Sequence, residues 1–423
     1  LEDGQNISSE ASMQSNGNSN GNSDFATSAF AKEPSLPDGQ TINSEASVQS
    51  NGNSNGNSNG NSNENTKEDT PPSSSDDAGP DEESYSDEEQ VNACVVDPCV
   101  AKIGGTEYST LQEAIDNAAN NAVITLQSDL EMEDGLQFIG SGDTANDWKN
   151  ITIDAANKYK LTLNDLGIYA THCKVTIKDC PALTVKAGKN PGNAHGESAN
   201  ISAVLFCPGT LILDNCATVN ITNPNPDTGG NGLCIYNGGD LYIRNNTQFT
   251  VSGFKNSTRV NPGAEGGDGC SGIYIDADPG KNNNYETPTG KIVVSGYSTL
   301  TATNCFHNGI TANPIDIDVS NHSTINVNNN NKNSSGQGGL GCYYGKLTVT
   351  DNSHVTAHNN TSWGFAIFVK DLEVDSTSGI DAKDNGGYTL DGQGLSLGGY
   401  GVAVCGKAVI EGTVEASGNW GPG

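Results

Sequence analysis

Arginine is scarce in this 423-residue chain, and its scarcity limits the chemistry that the chain can do. Arg244 lies in "LYIRNN" and Arg259 lies in "NSTRVNPG", and the sequence has no third arginine. A lyase that cleaves an acidic polysaccharide needs a basic side chain beside carboxylates that hold calcium, so that a sugar proton can be abstracted. Neither arginine lies in a motif of that kind, and this argues against a lyase.

A polygalacturonase-like hydrolase needs paired aspartates and a His-Gly step, and this sequence offers little of either. "AHGES" offers the step His195-Gly196, but the adjacent pair Asp76-Asp77 lies in a low-complexity segment. The stretch 394–398 fits G-x-S-x-G, although a nucleophile elbow needs a strand before it and a helix after it. In a chain with 52 glycines we interpret that match as chance.

Calcium is the one cofactor that the side chains suggest. Asp276 and Asp278 in "DADPG", like the stretch 223–227 ("NPNPD"), offer oxygen ligands from loops. Ordinary Asx turns explain both stretches equally well. We therefore expect no bound cofactor, with Asp276 and Asp278 as weak calcium candidates.

The elements that position these residues repeat along the chain. "GKLTVTDNSHVTAHNN" (345–360) reads as strand, polar turn, strand, polar turn, and the same phrase recurs at 173–188, 209–223, 239–253, 290–304, 315–329, 370–385 and 406–419. A unit this short cannot bury its own apolar face and must stack on its neighbours. The recurrence therefore predicts a solenoid.

A third strand precedes most of these phrases. It starts with a glycine, as in "GLCIY" (232–236), "GIYID" (272–276) and "GVAVC" (401–405), and alternates apolar and polar residues. Three strands per repeat predict the coils of a parallel β-helix. One turn position of successive coils holds Asn or Asp, which tolerate left-handed backbone: Asp179, Asn215, Asn245, Asn321 and Asp351.

Aromatic side chains lie on the outward side of the first strand of the coil, by the same alternation that sends their neighbours inward. These residues are Tyr169, Tyr236, Tyr274, Tyr343 and Phe368. An aligned aromatic row on a flat face suits stacking against sugar rings or contact with a protein partner. The alternative is that the rings cover each other, or that insertions at 254–271 and 277–290 shield them.

Eleven cysteines give an odd count, so one thiol is unpaired unless another chain contributes a partner. Their spacings match no zinc module. Cys180 and Cys216 fall at one turn position of consecutive coils, within disulfide reach. The alternative is a stack of buried thiols that fill the turns.

Composition divides the chain and excludes some partners. Residues 1–93 contain two near-identical Asn/Ser/Gly blocks and an acidic stretch, and we expect a disordered spacer there; an unselected low-complexity expansion explains the segment equally well. The chain has 20 basic residues against 51 acidic ones, which disfavours nucleic acid and anionic membranes. No apolar run is long enough to span a bilayer.

The start of the folded region carries the most specific pattern. "TLQEAIDNA" (110–118) has a capping box, Thr110 and Glu113, with Leu111 and Ile115 on one helical face, and strand 122–126 follows. This stretch, before stacked coils, resembles the start of pectate-lyase-like β-helix domains in secreted and surface proteins of Gram-positive bacteria. The resemblance covers about 101–423 and implies an exported protein. Related domains include lyases, hydrolases, carbohydrate-binding modules and adhesins.

We therefore expect an all-β chain with a disordered spacer (1–93), an N-terminal cap (94–135, helix 110–119) and a right-handed parallel β-helix (136–423). The favoured function is a non-catalytic, secreted or cell-surface solenoid that binds glycan or a host protein through the aromatic row. One alternative is a secreted polysaccharide lyase or hydrolase. Another is a structural stalk for a domain beyond Gly423, where we expect the natural protein to continue.

Overall fold

The computed structural model describes residues 99–142, 144–164, 167–187, 202–224, 230–254, 271–276, 290–330, 338–362, 365–389, 396–397 and 399–420. These residues form an all-β architecture with long parallel sheets and one short helix, as expected of a β-solenoid. The predicted disordered spacer, residues 1–93, lies outside the described residues.

Three parallel ladders, here called A, B and C, take one strand each from successive coils. Ladder A contains β5 (Leu136–Ile139), β8 (Ile168–Thr171), β11 (Ser202–Phe206), β14 (Asn231–Tyr236), β17 (Ile273–Asp276), β20 (Ile310–Asn313), the first parts of β23 (Leu340–Val349) and β26 (Phe365–Val374), and β30 (Tyr400–Val404). Ladder B contains β3 (Ala122–Leu126), β6 (Lys149–Asp154), β9 (Cys173–Lys178), β12 (Gly209–Asp214), β15 (Leu241–Arg244), β18 (Gly290–Ser295), β21 (Ile315–Val319), the second parts of β23 and β26, and β31 (Ala408–Ile410). Ladder C contains β4 (Leu130–Met132), β7 (Leu161–Leu163), β10 (Leu183–Lys186), β13 (Val219–Thr222), β16 (Gln248–Ser252), β19 (Thr299–Thr303), β22 (Thr324–Asn328), β24 (His354–His358), β27 (Gly379–Lys383) and β32 (Thr413–Ser417).

Alternation along each strand builds the core. In β21, Ile315, Ile317 and Val319 are buried while Asp316 and Asp318 between them are partly exposed. The buried positions stack in register from coil to coil, so that the buried apolar side chains pack against the equivalent ones of neighbouring coils. This is how strands too short to bury a core of their own acquire a continuous one.

The turn between ladders B and C has the predicted left-handed backbone. Asp179, Asn215, Asn245, Asn321 and Asp351 all have φ between 53° and 58°. The Asn215 side-chain amide donates a hydrogen bond of 2.7 Å to the Asp179 carboxylate one coil away. Asn and Asp are enriched in this conformation because their side chains bond locally, and the prediction is confirmed.

Two buried ladders of polar side chains run along the corners of the coils. In one, backbone N–H groups donate to the hydroxyl of the next coil, as from Ser298 to Ser323 and from Ser323 to Ser353, both at 3.1 Å. In the other, the backbone N–H groups of Asn330 and Asn360 each donate to the next asparagine at 3.0 Å. These bonds satisfy backbone N–H groups at the corners, which would otherwise be buried without a hydrogen-bond partner.

The first elements of the described chain are β1 (Ala101–Ile103), β2 (Thr106–Tyr108) and α1 (Leu111–Asn117). Thr110 accepts from the backbone N–H of Glu113 at 3.0 Å, as the capping box predicted, and Leu111 and Ile115 are buried. β1 pairs antiparallel with β2 and with β3. Parallel pairing starts with β3 against β6, at residue 122, which lies before the expected start at 136.

Three further short strands, β25 (Thr361–Ser362), β28 (Gly386–Thr389) and β29 (Ser396–Leu397), form a small separate sheet. β25 pairs in parallel with β28, and β28 pairs antiparallel with β29. Their chain positions lie between ladder C and ladder A strands.

Candidate functional site

The connections of most variable length lie beside ladder A, which makes this face the best candidate for a binding site. Three or four residues join ladder B to ladder C in every coil from β9 to β27. From β10 onward, the connections from ladder C back to ladder A range from 6 residues, between β19 and β20, to 20 residues, between β16 and β17. Binding residues are disproportionately found on variable loops that a rigid scaffold positions.

The predicted aromatic residues lie on the outward side of ladder A, but in two rows rather than one. Strand register places Tyr169, Tyr274 and Phe368 in the same row. Tyr236 pairs with Asp276 instead, and Tyr343 follows it in this second row. The single row expected from the sequence is wrong, because the tyrosines stand at different distances from the glycines that start their strands.

The rings are also more covered than an open aromatic surface requires. The four tyrosines of the predicted site are half-buried, and Phe368 is 6% exposed. Phe368 lies 5.4 Å from Tyr343 and 5.5 Å from Phe365 between ring centroids, and Phe365 lies 5.1 Å from Tyr400. For Phe368 the alternative of rings that cover each other is therefore correct.

The Tyr274 side chain bonds to the first calcium candidate. Its hydroxyl donates to a carboxylate oxygen of the buried Asp276 at 3.0 Å, and burial, with Asp276 and Cys234 nearby, holds the pKa of Tyr274 well above its ordinary value. Asp278 lies outside the described residues. Across the residues that the structure describes, no three His, Cys, Asp or Glu side chains cluster in a way that could hold a metal ion.

Tyr169 borders a cleft of about 460 Å³ where α1 meets the first strands of ladder A. The lining combines this ring, apolar side chains and acidic and amide groups: Thr110, Gln112, Asp116, Met132, Asp134, Gly135, Leu136, Gln137, Gly167, Ile168, Tyr169, Ser202, Ala203 and Leu205. The volume lies within the range of small-ligand sites in proteins.

One wall of the cleft is fixed by the side chain of Gln112. Its amide nitrogen donates to the backbone carbonyl of Gln137 at 2.9 Å and to the Asp116 carboxylate at 2.8 Å. Its amide oxygen accepts from the backbone N–H of Gln137 at 2.9 Å. The helix and the outer edge of β5 are thereby tied together, and the carboxylate of Asp116 is oriented at the rim.

An exposed aromatic pair was missed by the sequence analysis. The rings of Tyr297 and His322 stack at 4.8 Å with an interplanar angle of 8°, and Tyr297 is 58% exposed. Both residues have left-handed backbone, with φ of 61° and 60°. The sequence does contain a signal for this pair: in "GYST" and "NHST" the aromatic residue comes just before a serine at the same turn position of successive coils.

A carboxylate pair was missed as well. Asp316 and Asp318 alternate with buried residues in β21, so both lie on the outward side of ladder B. Burial, together with Asp316, raises the pKa of Asp318. Asp316 and Asp318 are not adjacent in the sequence, because residues that share a face of a strand are two apart.

Of the catalytic candidates from the sequence, only Arg244 has its side-chain contacts within the described part of the chain. The Arg244 guanidinium donates two hydrogen bonds to Asp214 Oδ2, at 3.0 and 2.8 Å, and is held in an ion pair. Arg259 and His195-Gly196 lie outside the described residues, as do Gly394 and Gly398 of the G-x-S-x-G stretch.

Cys180 and Cys216 are free thiols rather than a disulfide. Both are buried, and the Cys216 thiol donates to the Ile177 carbonyl at 3.3 Å. The Cys216 backbone N–H donates to the Thr247 hydroxyl, so the cysteines continue the buried serine and threonine ladder. The stack of turn-filling thiols is the correct alternative, and burial raises the pKa of Cys180 to about 11 and of Cys216 to about 12.

Comparison with known proteins adds no family. No family model matches the chain, and no curated protein and no solved structure matches it either. Within the described residues no helix is both long and apolar enough to cross a membrane.

Proposed function

We propose that the described residues form a right-handed parallel β-helix of the pectate-lyase-like type, in a protein exported to the surface or medium of a Gram-positive bacterium. In this proposal α1 caps the first coil. The Gln112 amide supports that role, because it occupies the backbone N–H and C=O of Gln137 in β5. An exposed strand edge invites pairing with other chains, and a covering helix prevents it.

Within this architecture we propose a non-catalytic binding solenoid whose ligand is a glycan. The observation that carries the proposal is the cleft beside Tyr169, in which one aromatic ring stands among carboxylates and amides on a rigid sheet. Sugars present apolar C–H faces and many hydroxyls, so they need an aromatic surface and hydrogen-bond acceptors rather than strong charges.

The chemistry of the rim favours a neutral sugar. Asp116 and Asp134 are exposed at the cleft and can accept hydrogen bonds from hydroxyl groups. The same carboxylates repel acidic sugars, and no lysine or arginine lines the cleft within the described residues. The variable connections beside ladder A then provide the means of selecting among neutral glycans.

A glycan array probed with the full chain tests the proposal. Tyr169→Ala should weaken binding to the best neutral glycan roughly two- to tenfold, the range expected for one aromatic contact. Tyr297→Ala, which removes an exposed ring remote in sequence from the cleft, is the matched control and should bind as the wild type does. Equal losses in both variants would refute the cleft as the site. Binding to host proteins with no glycan signal would favour the host-protein alternative, and no binding at all would favour the stalk.

A second candidate, a glycoside hydrolase, is favoured by the Asp316 and Asp318 pair. The backbones of residues two apart on a strand stand roughly 6–7 Å apart, close to the shorter carboxylate separations of inverting enzymes. The raised pKa of Asp318 suits a general acid. Release of reducing sugar that disappears in Asp318→Asn would establish this activity, whereas we expect no release from neutral or pectin-like polysaccharides.

A further inference from the structure

The outward side of ladder B carries charges whose sign alternates from coil to coil. Six residues at one register position form this charge row: Asp240, Lys291, Asp316, Lys346, Asp371 and Lys407. Neighbouring strands of a ladder lie about 4.8 Å apart, so the sign reverses at each step of about 4.8 Å along the solenoid.

Backbone hydrogen bonds hold the acidic members of the charge row in place. Each aspartate accepts from the backbone N–H of the lysine that follows it in the row: Asp240 from Lys291 at 3.0 Å, Asp316 from Lys346 at 2.8 Å, and Asp371 from Lys407 at 2.6 Å. The aspartates are therefore fixed by the sheet itself and present their remaining charge outward at regular intervals.

The lysines are restrained by aromatic and acidic neighbours on the same face. The Lys291 ammonium lies 5.5 Å from the centroid of the Tyr242 ring, and the Lys346 ammonium bonds to Glu373. Ordered charges on a flat sheet lose little side-chain entropy when another surface meets them, and this favours a specific contact.

From this pattern we propose that ladder B is an interface with a second copy of the same chain. The copies would be related by a two-fold axis that lies in the interface and runs parallel to the strands. Such an axis reverses the order of the charge row. The row reads Asp, Lys, Asp, Lys, Asp, Lys in one direction and Lys, Asp, Lys, Asp, Lys, Asp in the other. When the two copies meet in opposite directions, every aspartate therefore faces a lysine. Asp316 then faces Lys346 of the partner subunit, and Asp240 faces Lys407 of the partner subunit.

The two flanking outward rows fit the same axis. Arg244 faces Glu411 of the partner subunit, and Tyr242 faces Val409 of the partner subunit, by the register of β15 and β31 within ladder B. Asp318 faces Thr348 of the partner subunit and Ser295 faces Asp375 of the partner subunit. Among these three rows of described residues no two like charges face each other. A nucleic acid or a uniformly charged polymer would meet repulsion at every second coil, so the alternation fits a second copy better.

Charge reversal with mixing tests the interface by sedimentation equilibrium on the full chain. Lys346→Asp and Asp316→Lys each place like charges opposite each other twice in the dimer, and each variant should dimerise at least tenfold more weakly than the wild type. An equimolar mixture should recover the dimer, because positions 316 and 346 are both acidic in the first variant and both basic in the second. Mixing leaves the like-charged neighbours inside each chain unchanged, so recovery reports contacts between chains.

The matched control is Lys174→Asp, which reverses a lysine at the same register position outside the six residues of the charge row. It should dimerise as the wild type does. Circular dichroism of each variant verifies that the solenoid is folded, and the mixed sample verifies it again by forming the heterodimer. A wild type that stays monomeric at all concentrations, single variants that remain dimeric, or a mixture that stays monomeric would each overturn the proposal.

Discussion

Replacing Asn360 by alanine tests whether the buried asparagine ladder stabilises the solenoid. Asn360 is fully buried; its amide nitrogen donates to the Val327 carbonyl at 2.8 Å, and its amide oxygen accepts from the Asn330 backbone N–H at 3.0 Å. Alanine leaves both backbone groups without this partner. Each such buried group costs about 1–3 kcal/mol, so the free energy of unfolding should fall by about 2–6 kcal/mol. For the 255 residues that the structure describes, this lowers Tm by roughly 4–11 °C.

Amide hydrogen exchange tests whether the destabilisation is confined to the neighbourhood of Asn360. In Asn360→Ala the amide proton of Asn330 should lose protection far more than the amides of ladder B in the same coil. Asn326→Ala is the matched control, since Asn326 lies in the same strand as Val327 but points outward and is half-exposed. Its amide oxygen accepts a hydrogen bond of 2.7 Å from the Thr356 hydroxyl, which water can replace, so the substitution should lower the free energy of unfolding by about 1 kcal/mol or less. Equal effects of the two substitutions would refute the argument that the buried ladder carries the stability.

Three further predictions concern the core, acid and the thiols. Ile275→Ala removes a fully buried side chain and should lower the free energy of unfolding by about 2–5 kcal/mol in a urea titration; a loss under 1 kcal/mol would mean that the core relaxes around the gap. The backbone N–H of Asp351, followed by the Ser378 hydroxyl, lowers the pKa of Asp375 to about 2. The stabilisation from Asp375 is therefore complete above about pH 4 and lost as the pH falls towards 2, and Tm of Asp375→Asn should fall less over that interval than Tm of the wild type. In the native state the exposed thiol of Cys405 should react with a thiol reagent while Cys216 stays protected until unfolding; peptide mapping that finds Cys216 labelled in the native protein, or Cys405 unlabelled, would contradict this.

Side-chain alternation and turn chemistry made most of the fold predictable. Inward positions such as Ile317 and the left-handed turn at Asn215 follow from local rules that need no knowledge of distant residues. The helix at Leu111–Asn117 followed from the capping box in the same way. The corner ladders were harder to foresee, because Ser298 and Ser323 resemble ordinary polar turn residues and are buried only through stacking.

The candidate site was predictable only in part. Alternation gave the correct side of the sheet for Tyr274 and Tyr236, but Tyr274 stands two residues after its starting glycine and Tyr236 stands four after its own, so strand pairing places them in different rows. The coverage of Phe368 depends on Phe365, three residues earlier in the same strand, and on Tyr343, which comes from the neighbouring coil and meets Phe368 only in three dimensions. The cleft beside Tyr169 needs α1 as its second wall, a tertiary contact that no repeat pattern encodes.

The two kinds of corner differ in the length of chain that they accept, and this makes the solenoid suitable for displaying foreign peptides. Register is set at both corners, by left-handed asparagines such as Asn321 and buried serines such as Ser323 where ladder B turns into ladder C, and by buried asparagines such as Asn360 where ladder C ends. The 20 residues between β16 and β17 already pass from ladder C to ladder A, where the next coil uses 6. A foreign peptide that replaces part of the connection between β16 and β17 should therefore be carried without loss of stacking, whereas the buried Cys305 and Asn308 between β19 and β20 should be left in place.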